Sequence, residues 1–357
     1  MNVDFYRSLE KPKKSYEEID MVNSLVDSKD LYVMTESGHK IPLSEKALER
    51  ITKYAGVPKA VFKYLKYEDW RTLMIEKYSE LKAYVKVPDD LTDLILSDIF
   101  VGEVVPMMNE DFINTVISFF EDRSEFIVRE ILYDKQSTES SVIIELKNNQ
   151  TSLANPDNYV LGVVFLNDEN WQITCRLSVR VGDDVYYLPS QHMNLTSGRY
   201  NRTSSDIKEA LGQLMLRVSD DMLTPEWYNK IEGFVVRMKS LYSVSATYEE
   251  YSNVRTTLKR AAVSSDMVEE VKDIDDILYE EMNDFERHYK PNDSREGSYL
   301  WRCTAISDNT IAKLVESVNS ILSEYRFYDN NLRVIRMMLG DLVMTRRIVK
   351  ELAPRRD

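Results

Sequence analysis

Arg176 and Arg180 fall in a run, 171–181, where Trp171, Ile173, Cys175, Leu177, Val179 and Val181 alternate with Gln172, Thr174, Arg176, Ser178 and Arg180. Strict period-two alternation predicts a strand with one buried and one wet face. The wet face then carries Gln172, Thr174, Arg176 and Arg180. Arg199, Tyr200 and Arg202 follow in a polar loop, with Lys208 shortly after. Guanidinium groups for phosphates, next to a ring for base stacking, are the ingredients of a surface that holds single-stranded nucleic acid. The same residues also suit a polar sheet face covered by helices, and spacing alone leaves both readings open.

Other chemistry is sparse. The three histidines, His39, His192 and His288, lie far apart in a hairpin, a loop and a helix end, and read as surface or capping residues. The sequence has no GxxxxGK[ST], GxGxxG or GxSxG, so the phosphate cradle, the dinucleotide turn and the nucleophile elbow are missing. Asp89-Asp90, Asp220-Asp221 and Asp275-Asp276 are acidic pairs, but adjacent acids on a helix point to different faces, and the first two sit where Asp caps an element. No catalytic residue, metal ligand or cofactor is therefore assigned. The two cysteines, Cys175 and Cys303, offer no disulfide framework and read as buried small hydrophobes.

The formal charge of −14 argues against a surface that tracks nucleic acid along its whole length. Charge is also uneven. Residues 264–296 hold twelve acids against four bases, whereas 333–357 hold seven bases against three acids. Such stretches pair within one molecule or between molecules, or else are solvated helix faces. No window resembles a signal peptide or a membrane span, so a cytoplasmic setting without a membrane partner is expected.

The elements that must position these residues form an α+β arrangement. Residues 1–30 read as an arm or a loosely attached helix. Within 31–203, 31–35 and 39–43 read as a hairpin, 45–55 as a helix capped by Ser44, and 57–85 as further helices. A DNA-reading helix-turn-helix over 43–65 is weak, since its second helix offers only Lys59 and Lys63 as polar contacts. Strands over 126–133, 141–146, 159–166, 171–181 and 185–188 predict a central antiparallel sheet of about four or five strands, ordered as a meander. Residues 192–202 read as a polar loop. From 204 to 357 the chain reads as helical, with seams over 207–218, 227–262, 267–289, 311–325 and 332–352, arranged as a bundle or as arms that pair with another copy.

Three stretches carry a family resemblance. They are Pro42-Leu43-Ser44 through Gly56-Val57-Pro58 to Tyr64-Leu65; Ser97-Asp98 with Val105-Pro106 and the helix start Asn109-Glu110-Asp111-Phe112-Ile113; and Gly162 to Arg180. Over residues 40–215 the chain resembles the phage and plasmid proteins grouped as the domain of unknown function 932. That family's Cys-Asn-Gly step after the arginine has no counterpart in 176–184. The resemblance implies an origin in a phage or another mobile element and implies no activity.

Two functions follow as expectations. The first is a non-enzymatic protein of phage DNA processing, binding or annealing single-stranded DNA through Arg176, Arg180, Arg199, Tyr200, Arg202 and Lys208. The second is a virion structural or assembly protein that self-associates through its C-terminal helices, or a protein-binding inhibitor of a host factor. Their locations would be the host cytoplasm and, for the structural component, the virion.

Overall fold

The computed structural model describes residues 1–9, 14–19, 32–34, 40–42, 56, 58, 64, 68–69, 72, 76, 83–88, 99–101, 107–133, 139–147, 159–168, 172–188, 193–196, 204–263, 305–324 and 329–344. The helices expected over 45–55 and 267–289, all three histidines, and Cys303 lie outside these residues.

The protein is α+β. Its central sheet runs β6 (Phe126–Tyr133), β7 (Glu139–Leu146), β8 (Tyr159–Asp168), β9 (Gln172–Val181) and β10 (Asp184–Tyr187), each antiparallel to the next, as the meander predicts. Gly182, at φ 60°, supplies the positive φ of the two-residue turn between β9 and β10. A sixth strand, β11 (Met193–Thr196), pairs with the half of β9 that β10 leaves free. The expected loop over 192–202 is corrected there, because the exposed edge of β9 offers Met193–Thr196 a ladder partner that polar composition does not reveal.

Toward the N-terminus, α1 (Val3–Ser8), a helix as one of the two readings of this segment has it, buries Tyr6 edge-on against Tyr133 and so packs on the sheet. β1 (Lys14–Ile19), β4 (Ala83–Pro88) and β5 (Ile99–Val101) make a separate three-stranded antiparallel sheet. Ala83–Pro88 thus ends the expected helical stretch as a strand, its Val85 and Val87 being β-branched. β2 (Tyr32–Met34) and β3 (Lys40–Pro42) form the expected small hairpin.

Both faces of the central sheet are covered. On one face, Phe112, Val116 and Phe120 of α2 (Asn109–Glu121) pack on the strands, with the Phe120 ring 5.2 Å from Phe126 and 5.7 Å from Phe165. α3 (Ser204–Met222) and α4 (Pro225–Ser240) extend this core, with Phe234 seated between Tyr159 and Tyr186. Asn109 does not act as a cap. Its buried side-chain oxygen accepts from Ser140 at 2.7 Å and from Asn167 at 2.9 Å, tying α2 to β7 and β8.

The seam expected over 227–262 is broken. α4 ends at Ser240, a 3-10 turn follows, and β12 (Ser245–Thr247) pairs with β13 (Ala305–Thr310) before α5 (Tyr248–Val263) starts. Thr247 and Glu250 close a reciprocal cap there, the Thr247 amide donating to Glu250 and the Glu250 amide to the Thr247 hydroxyl. α6 (Ile311–Glu324) matches its periodicity almost residue for residue. α7 (Asp329–Met344) crosses β10, β6 and β7 on the second face of the sheet. Among the described residues no helix is long and apolar enough to cross a membrane.

Candidate functional site

The wet face of β9 is where the sequence put its chemistry, and α7 lies over that face. The apolar part of the contact is small: Ile143, Val164, Leu166, Val185 and Tyr187, with Met337 of α7 packed on them. Gly340 allows the approach, since a Cβ at that position would fall 2.6 Å from the Tyr187 carbonyl carbon. The rest of the contact is charged.

Three acid–arginine pairs form this layer among the described residues. Arg180 of β9 holds Glu145 of β7 through two parallel bonds, Nε to Oε1 and Nη2 to Oε2, each 2.9 Å. Arg336 of α7 donates through Nη1 to Glu130 of β6 at 2.6 Å, and Arg333 pairs with Glu139 of β7. Arg336 is only 7% exposed, and the same Nη1 reaches the hydroxyl of Tyr187 at 3.5 Å. Arg336 therefore links β6 and β10, the two ends of the five-strand path.

The electrostatics follow from burial and pairing. Burial works against the Arg336 charge, but Tyr187 and Glu130 outweigh it, and its pKa is raised. Burial also raises the pKa of the Tyr187 phenol, against the opposing pull of Arg336. Arg180 is raised chiefly by its hydrogen bonds to Glu145. Arg176 behaves differently. It is half-buried, its Nε is buried without a hydrogen-bond partner, and burial lowers its pKa, with Asp341 opposing and Arg333 adding to the shift.

Arg176 and Arg180 do share the polar face of β9, but neither forms an open surface. Arg180 is spent on Glu145, and Arg176 is half-buried within the electrostatic reach of Asp341 and Arg333 of α7. Thr174 and Ser178 of the same face are buried. Arg199, Tyr200 and Arg202 lie outside the described residues, and Lys208 is exposed on α3. Of the two readings that spacing left open, Arg176 and Arg180 fit the covered sheet face. The physical reason lies in three glutamates of β6 and β7: Glu145 neutralises Arg180, while Glu130 and Glu139 pair with Arg336 and Arg333 and so bring α7 onto this side of the sheet.

Glu130, Glu139, Glu145, Tyr187, Arg333 and Arg336 were not singled out by the sequence reading. Two signals for them exist: Glu139, Ser141 and Glu145 recur with period two on β7, and Arg333 and Arg336 are three apart on a helix, on one face. Chemically the layer orients and neutralises charge. Among the described residues no three metal-ligating side chains gather, and Cys175 is buried, with burial raising its thiol pKa.

Compared with family models, curated proteins and solved structures, the chain matches none of them.

Proposed function

We propose that this protein acts without catalysis, as an assembly component that binds other protein chains, copies of itself first. One observation carries the reading. Of the strand arginines that suited nucleic acid, Arg180 is engaged with Glu145 inside the fold, and Arg176 is half-buried, with burial lowering its pKa. A phosphate backbone has to compete with Glu145 for Arg180, and the net charge of −14 opposes it further.

Further support comes from the helical half. Leu216 of α3, Leu223 just past its end, and Val236 of α4 are exposed, Val236 by 70%. Isolated exposed apolar residues are common on monomers, so these support the reading without carrying it. The resemblance to the domain of unknown function 932 supports a setting in a phage or another mobile element.

Sedimentation velocity over a wide concentration series tests the proposal, and reversible association with concentration is expected. A strict monomer at the highest concentration removes self-association. Filter binding of labelled single-stranded DNA at low and moderate salt tests the competitor. Salt-dependent binding at micromolar protein, lost on Arg199→Ala with Arg202→Ala, would return the function to nucleic acid.

A further inference from the structure

The charged layer opens at one end into a cleft of about 260 Å³ beside the β9–β10 turn, lined by Arg129, Glu130, Glu145, Arg180, Asp183 and Arg336 among others. Two of its acids are already matched, Glu145 by Arg180 and Glu130 by Nη1 of Arg336. Arg129 and Asp183 are exposed, and neither makes an ion pair among the described residues. Nε and Nη2 of Arg336 make no hydrogen bond there either, since both of its bonds leave from Nη1.

Arg129 reaches this cleft through a backbone irregularity. Val128 pairs with Ile144 and Glu130 with Ile143, so Arg129 is the extra residue of a β-bulge. In a regular strand Arg129 and Glu130 would point to opposite faces. The bulge re-aims the strand, and both side chains line one cleft. Across from them, the tight turn at Gly182 presents Asp183.

The arginine and carboxylate side chains on the cleft wall balance, three against three, and Met1, whose N-terminal ammonium donates to the Ile131 carbonyl at 2.8 Å, lines it too. A free dianion would find no partner for its charge at Asp183. A molecule with separate anionic and ammonium groups instead matches both unpaired ends, because guanidinium groups favour carboxylates and a lone carboxylate favours an ammonium. The volume falls below the roughly 300 Å³ at which pockets for drug-sized ligands begin, which points to a small ligand. We propose that this cleft binds a zwitterion of amino-acid size, its carboxylate held by Arg129 and Arg336 and its ammonium group by Asp183.

Thermal unfolding of the full chain with each protein amino acid in turn tests this, with acetate and methylammonium as half-ligands at matched ionic strength. At least one amino acid is expected to raise Tm with saturation, while neither half-ligand does. Arg129→Ala and Asp183→Asn, both at exposed positions, are each expected to raise the half-saturating concentration about tenfold or more. The proposal is overturned by no saturable shift from any amino acid, by an equal shift from acetate, or by indifference to both substitutions.

Discussion

Arg180 of β9 and Glu145 of β7 meet over Gly162 of β8, the strand between them. The residue opposite Glu145 has no side chain, and that gap lets a long guanidinium cross the strand to reach both carboxylate oxygens. A Cβ at Gly162 would lie 2.5 Å from the Ile144 carbonyl oxygen and 3.1 Å from both Glu145 Cγ and Ser178 Oγ. The small residue is thus a condition of the ion pair as well as of strand spacing.

Gly162→Ala is therefore expected to destabilise the fold by about 1–3 kcal/mol, as overpacking in a filled interior does. Gly212→Ala, inside α3 with nothing near its added Cβ, should instead stabilise by about 0.5–1 kcal/mol through helix propensity. Urea unfolding of the two variants checks both. Equal signs would show that the crowding at Gly162 is relieved by simple adjustment.

Glu130 and Arg336 give a second test. Removing the carboxylate by Glu130→Ala leaves a guanidinium that is nearly inaccessible to water without its acid, and should cost roughly 3 kcal/mol. Replacing both partners, Glu130→Ala with Arg336→Met, should recover most of that loss, because an apolar pair in a buried site is often as stable as the ion pair it replaces. A double variant no better than the single one would mean that Arg336 contributes through Tyr187 instead.

Much of the sheet was legible because its burial pattern is local. The alternation from Ile173 to Val181 fixes which side chains of β9 face the core, and Ile173, Cys175, Leu177 and Val179 are buried there. α6 was equally legible, since Ile311, Leu314, Val315, Val318 and Ile321 repeat with the helix. What covers the polar face was not legible. That depends on α7, which lies about 150 residues further along the chain, and on Arg336, a charged residue that composition reads as exposed and that sits buried beside Ile335. The break at Leu241–Thr247 was hidden for a related reason: apolar spacing continues across it while the hydrogen bonds pass to β13.

Gly340 tests whether α7 must lie as close to β10 as it does. Gly340→Ala adds helix propensity worth about 1 kcal/mol, yet its Cβ would meet the Tyr187 carbonyl and come within 3.3 Å of the Leu188 nitrogen. The backbone of β10 has little room to give, since the Leu188 amide donates to the Leu177 carbonyl at 2.9 Å. A net loss of about 1–2 kcal/mol is expected, together with faster hydrogen exchange in α7. A stabilised variant would mean that the helix rides on the sheet without a fixed contact.

Asp184 offers a test by pH. Burial raises its pKa, Asp183 adds to the shift, and Arg336 opposes it. Because the folded value lies above the unfolded one, the folded state holds the proton more tightly. The associated stability is fully present below the ordinary carboxylate range, about pH 3.9, and is lost as pH rises through the folded pKa. Asp184→Asn removes the titration while leaving a carbonyl oxygen to accept from Asn319, whose Nδ2 donates to Asp184 at 2.9 Å. Relative to the wild type, the variant should therefore gain stability between acid and neutral pH, measured by urea unfolding at several pH values. A difference that stays constant with pH, or that falls, would show that the local field at Asp184 is set by Arg336 more than by burial.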